Sequence, residues 1–205
     1  MSEVDARARS FGQGHRLTAV DRFGIWLSNR KISSIVHTFD GLSVADVGCG
    51  FNASFTRSIV DRVDHAVIVD VALANDLKTC SKITALEGLL PDALKTVADQ
   101  SLDVVVCNNV IEHLWDPLAT LREFRRITKK DGLVFVNVPS WRGKWFLEFS
   151  AFRLGTSPVT EMNDHKMYYN PRDLWPLLVR AGFIPQRIRV GTHKFSLNTY
   201  AVCRP

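Results

Sequence analysis

Between Leu42 and Val138 the chain repeats one pattern that few folds accept: a short, nearly continuous apolar run, a polar turn, and often a helical stretch before the next run. The runs are Ser43–Val47, Ala66–Val71, Ile83–Leu86, Leu102–Cys107 and Leu133–Val138, all rich in valine, isoleucine or leucine. Strands of that composition have both faces covered, as in a parallel sheet with helices on each side. Helical stretches fall near Ala53–Val63, Pro91–Ala98 and Leu118–Ile127. This order predicts a doubly wound α/β sandwich.

The flanks depart from that pattern. Residues Leu17 to Phe39 place Phe23, Trp26, Leu27, Ile32, Ile35 and Val36 on an amphipathic stretch, read as one or two helices broken or kinked near Gly24. After Pro139 comes an aromatic-rich insertion, Trp141 to Met162, then a helix over Pro171–Ala181 closed by Gly182. Strands Ile184–Val190 and Leu197–Cys203 follow, with His193 and Lys194 between them. Strands so close together suit an antiparallel pair at the sheet edge. The 205 residues fit one domain, 1–205. Within it, 1–40 is a helical cover, 41–139 a ligand-binding core, 140–170 an insertion, and 171–205 the last helix and two strands.

Bulk properties narrow the class further. Cys49, Cys80, Cys107 and Cys203 form no CxxC pair and read as reduced, partly buried small hydrophobes. No apolar run approaches the roughly 20 residues that span a bilayer, and the polar start resembles no secretory signal. A cytoplasmic location is therefore expected. The net charge of +5 favours anionic partners in general without choosing one.

The turn Ala45-Asp46-Val47-Gly48-Cys49-Gly50 follows the first strand and precedes a helix. Open α/β sheets bind ligands at the carboxyl ends of their strands, where this turn sits. Glycines at 48 and 50 let the backbone turn sharply and approach a ligand closely. Asp70, about twenty residues on, can accept both hydroxyls of a ribose. A dinucleotide would fit this far. The third position of its GxGxxG fingerprint, however, falls here on Ala53 or Ser54. Asp46, two residues before the first glycine, would repel a pyrophosphate but suits a ligand carrying an ammonium and a sulfonium.

The stretch Val44–Gly50 resembles the first motif of class I S-adenosylmethionine-dependent methyltransferases, and Ile68-Val69-Asp70 resembles the second. Leu102–Leu114 is similar to the family's fourth-strand motif, and Lys129–Val134 to its turn into the fifth strand. The likeness covers Leu42 to Pro139 with the motifs in order, and among subgroups it points to ubiquinone-pathway O-methyltransferases. It implies a Rossmann-like three-layer sandwich: a seven-stranded, mostly parallel sheet with one antiparallel strand. It implies S-adenosylmethionine as cofactor. Asp46 and the backbone of Gly48, Cys49 and Gly50 would hold the methionine moiety. Asp70 and Val71 would take the ribose, Leu89 the adenine, and Asn108 the region of the transferred methyl.

The acceptor side rests on two clusters. Asn108, Asn109, Glu112 and His113 follow the fourth strand, and Asn163–Tyr169 closes the insertion. His165 is expected to face His113 and act as general base, an unperturbed imidazole titrating near about 6.5. His113 and His165 are the candidate catalytic residues. Ser140–Leu147 resembles the tryptophan-bearing lid of the ubiquinone-pathway enzymes. Trp141, Trp145, Phe146, Phe149 and Phe152 would give the 141–153 lid an apolar face for the acceptor or for peripheral membrane contact. Small-RNA 2′-O-methyltransferases share the Glu-His pair and an Asp-His-Lys stretch like Asp164-His165-Lys166. Their metal is held by two glutamates and two histidines, and Asn109 stands where the first glutamate would be, so no metal is expected. The expected function is methyl transfer to a small-molecule hydroxyl, lipid-linked, aromatic or glycan-type. The alternatives are RNA 2′-O-methylation, metal-assisted in one form, and a non-catalytic cofactor-binding scaffold. A nucleic-acid partner is the less favoured, since Lys and Arg are not densely interleaved with stacking aromatics.

Overall fold

The computed structural model describes residues 10–13, 18–145 and 165–205. The seven strands are β1 (Ser43–Val47), β2 (His65–Asp70), β3 (Ile83–Glu87), β4 (Leu102–Asn108), β5 (Thr128–Pro139), β6 (Arg189–His193) and β7 (Asn198–Cys203). They form a single sheet in the order β3-β2-β1-β4-β5-β7-β6. Neighbours from β3 to β5 run parallel. β7 is antiparallel to both β5 and β6, so it is the one reversed strand. The order turns back at β1 and β4, and the crevice there, at the strands' carboxyl ends, is where such sheets bind ligands.

Helices cover both faces, making three layers. On one side α1 (Ala19–Val36), α2 (Ser54–Ile59) and α3 (Asn75–Lys78) place Ile32, Phe55, Ile59 and Leu77 over Val44, Ile68, Val104 and Phe135. On the other, α4 (Pro117–Ile127) and α5 (Pro171–Arg180) pack Leu121, Phe124, Leu174 and Leu178 on Val47, Val105, Val134 and Val136. Strand residues therefore meet apolar side chains above and below, which is why the runs carry no polar alternation.

Five segments differ from the expectation. α1 runs unbroken through Gly24, held by a Thr18–Asp21 capping box. α2 covers only Ser54–Ile59 of the expected 53–63, ending four residues early, and Ala53 before it is left-handed, with φ 42°. Over 91–98 only a 3₁₀ turn forms at Asp92–Leu94, because Arg126 takes the carbonyls of Leu94 and Val97 at 2.9 and 2.7 Å. β6 starts at Arg189, five residues later than expected, after a 3₁₀ turn at Pro185–Arg187 that uses a residue with no amide to donate. The Lys129–Gly132 segment, expected as a turn, is a bulge within β5: pairing jumps from Leu102↔Thr128 to Val104↔Leu133. The lid lies largely outside the described residues, which resume at 165; Trp141 and Trp145 at its start are exposed.

Phe135 is fully buried at the centre of β5. Phe135→Ala should cost about 3–5 kcal/mol, lowering the thermal midpoint by on the order of 10 °C. A fall of no more than about a degree would contradict this packing.

Candidate active site

β1 delivers the glycine turn into the crevice. Gly48 has φ +72° and donates its N–H to the Val69 carbonyl at 2.7 Å. A Cβ built on Gly48 would lie 2.0 Å from Cγ2 of Val110, so the position requires glycine for conformation and for space. Gly50, at φ +75°, donates to Oδ2 of Asp70 at 2.8 Å. Oδ1 of Asp70 accepts from the Val71 amide at 2.8 Å and from the Ser10 hydroxyl. The turn thus gathers Gly48, Cys49, Gly50, Asp70 and Val71 at adjacent strand ends. Ser10 comes with them, buried over the turn with the Phe11 carbonyl accepting from the Phe51 amide at 2.9 Å. A serine sixty residues from Asp70 carried no sequence signal.

Asp46 sits behind the turn, 4 % exposed, and its Oδ2 accepts from the Thr56 hydroxyl at 2.8 Å. Burial pushes its carboxyl up to about 7; the Thr56 bond opposes that, and the charge of Asp70 adds to it. Burial likewise drives the Cys49 thiol far above its usual range, with Asp46 and Asp70 adding their charges. A cationic ligand at the turn would favour the charged form of Asp46, and a pyrophosphate would oppose it. Farther along, Leu89 is half exposed, and the Glu87 carboxylate is held by Lys78 at 2.8 Å and the Leu73 amide at 2.7 Å. Glu87 is thus engaged beside the position expected to meet an adenine.

The turn after β4 carries the second cluster. Ile111–His113 forms one 3₁₀ turn, and the Glu112 carbonyl accepts from the amides of Lys166 and Met167 at 2.7 and 3.3 Å. That backbone pairing brings the residues after the insertion against β4. His113 and His165 face each other, ring centroids 4.7 Å apart, and His165 Nδ1 lies 3.0 Å from the Tyr168 hydroxyl. Ligand atoms of buried Glu112 and of His113 and His165 all lie within 4.8 Å of one another, a set able to hold a divalent cation. Asn109 does not join it: its Oδ1 accepts from Nδ2 of Asn137 at 3.2 Å and of Asn198 at 3.1 Å.

A polar row continues along the strand ends. Asn137 Nδ2 donates to Oδ1 of Asn108 at 2.6 Å, and Asn137 Oδ1 accepts from Nε2 of His193 at 2.6 Å. Burial, then the charges of Lys194 and Lys31, holds the His193 imidazole down to about 4. Its Nε2 proton is therefore that of a neutral ring. Asn137, fully buried, and Asn198 were invisible as site residues because their partners come from other strands.

Known proteins resemble this chain in sequence and in fold. The methyltransferase-domain family matches residues 45–136. A probable S-adenosylmethionine-dependent methyltransferase of Mycobacterium tuberculosis is 28 % identical over 143 residues, 69 % of this chain and 48 % of that protein. The chain thus spans about half the length of that relative. A ubiquinone biosynthesis O-methyltransferase of Neisseria meningitidis is 27 % identical over 174 residues, covering 80 % of this chain and 72 % of its own. An S-adenosylmethionine-dependent methyltransferase structure from Archaeoglobus fulgidus shares the fold, with a TM-score of 0.64 at 15 % identity, covering 88 % of this chain and 94 % of its own.

Asp46 makes stability depend on pH in a defined direction. Its folded carboxyl titrates near about 7 against an ordinary 3.8, so its contribution is full below about pH 4 and declines as pH rises towards 7. The whole decline amounts to roughly 4 kcal/mol. Asp46→Asn keeps an oxygen for Thr56 and removes the titration. Between about pH 5 and pH 8, urea unfolding should shift roughly 2–3 kcal/mol in the variant's favour relative to the parent. A constant gap across that range would mean that Asp46 is not desolvated.

Proposed function

We propose that this chain, which belongs to the class I S-adenosylmethionine-dependent methyltransferases, moves the methyl group of S-adenosylmethionine onto a hydroxyl oxygen of a small molecule. The observation that carries this reading is the His113–His165 pair, 4.7 Å between rings, at the end of the strand beside the glycine turn. The turn fits the cofactor: two glycines leave its backbone bare, and Asp46 and Asp70 offer negative charge to a ligand with an ammonium and a sulfonium. In this reading Asp46 with Gly48, Cys49 and Gly50 receives the methionine moiety. Asp70 and Val71 take the ribose, where its hydroxyls replace that of Ser10. Leu89 borders the adenine, and Asn108 the reacting region. When bound, the cofactor supplies an electrophilic methyl group on sulfur.

What the chain must add is position and a place for the acceptor's proton. One imidazole of the pair receives that proton from the acceptor oxygen, while the Tyr168 hydroxyl fixes the ring of His165. The relatives named ubiquinone biosynthesis O-methyltransferases support oxygen as the acceptor atom. A second reading is favoured by the compact Glu112, His113 and His165 set: a divalent cation held there would make the acceptor hydroxyl more acidic directly.

The test is formation of S-adenosylhomocysteine against a panel of small phenols and catechols. The double variant His113→Ala with His165→Ala should lose at least about 100-fold in turnover while binding S-adenosylhomocysteine within about twofold of the parent. Unchanged turnover would remove the histidines from the chemistry. Activity retained in EDTA supports proton transfer by the imidazoles; activity lost and restored by manganese supports the cation.

A further inference from the structure

Lys194 stands on the turn between β6 and β7, where Lys194, Phe195 and Ser196 have φ of 51°, 58° and 66°. Three successive non-glycine residues in the left-handed region make a strained turn that the surrounding structure must hold. That turn carries the ammonium inward. Nζ lies 3.9 Å from the point a Cβ would occupy on Gly24 of α1, and the side chain is partly buried. Among the described residues Lys194 has no side-chain hydrogen bond or ion pair, although Glu112 lies within electrostatic reach.

Lys31 approaches from α1, its Nζ 4.0 Å from the centre of the Tyr200 ring. Both lysines act on His193, the last member of the polar row that begins at Asn108. Two cations therefore converge at the end of the row away from the glycine turn, and among the described residues the acid acting on Lys194 is Glu112. His193, neutral between them, supplies no counter-charge. An ammonium withdrawn from water without a partner is costly unless something anionic meets it, and burial pushes that of Lys194 down to about 8 against the opposing charge of Glu112.

We infer that Lys194, with Lys31 beside it, binds an anionic group, a carboxylate or a phosphate, carried by the methyl acceptor, and so selects acidic acceptors. This rests on the methyl-transfer reading, since it takes the polar row as the floor on which the acceptor lies. The anion sits at the β6–β7 end, and the hydroxyl to be methylated lies toward Asn108 and the two histidines. Lys194 then acts as a specificity residue that touches the substrate away from the reacting atoms.

The experiment is calorimetric titration of the full chain saturated with S-adenosylhomocysteine. The probes are 4-hydroxybenzoate, phenyl phosphate and the uncharged 4-hydroxybenzamide. At least one anion should bind about tenfold or more tighter than the amide, and the better anion identifies the group. Lys194→Met should abolish the preference; Lys194→Arg, which keeps the charge, should retain it. Equal affinities for charged and neutral probes, including no measurable binding by any, overturn the inference, as does a preference that survives Lys194→Met. The first titration separates the two readings. If S-adenosylhomocysteine fails to bind, the methyl-transfer reading falls; if it binds and no anion is preferred, only the anion site falls.

Discussion

The close approach of two turns is the constraint on which the site depends. The β1 turn passes Val110 so tightly that a single added carbon at Gly48 would overlap it, at 2.0 Å from Cγ2. Because β1 and β4 are parallel neighbours at the reversal of strand order, their turns emerge side by side. Packing them in contact places the acidic cofactor turn next to the turn that carries Glu112 and His113. A glycine with positive φ is the residue that satisfies both the backbone and the space. The spacing between the glycine turn and the Glu112–His113 turn is therefore set by contact of the Gly48 backbone with the Val110 side chain.

A second consequence concerns charge. The site is acidic at the cofactor end, with Asp46 buried and Asp70 beside it, and basic at the other, with Lys31 and Lys194. Between them runs a neutral row of amides and one uncharged imidazole, with β4, β5, β6 and β7 all contributing. Such a gradient would orient a cationic ligand at the first end and an anionic one at the second.

Much of this was legible in the sequence, and the reason is local. Continuous valine-rich runs mark β1 to β5 within a residue or so at most ends, because doubly covered strands leave a compositional trace. The glycine turn, Asp70 and the Glu112-His113 pair lie in short motifs whose geometry is set by nearby residues. The remainder depends on contacts between distant segments. Ser10 meets Asp70 across 60 positions, Asn137 meets Asn108 across 29, and Asn198 meets Asn109 across 89. Lys194 stands in a left-handed turn with no glycine to announce it. The stretch 91–98 looked helical because the carbonyl capture by Arg126 that limits it comes from a different helix.

The account stands on the cofactor turn accepting a cationic donor rather than a dinucleotide. Calorimetric titration of the purified chain with S-adenosylmethionine and, separately, with NAD measures that directly. Micromolar binding of S-adenosylmethionine, abolished in Gly48→Ala, with no heat from NAD, is the predicted result. Binding of NAD without S-adenosylmethionine would show that the acidic turn does not select the sulfonium ligand, and the account of the site would be wrong.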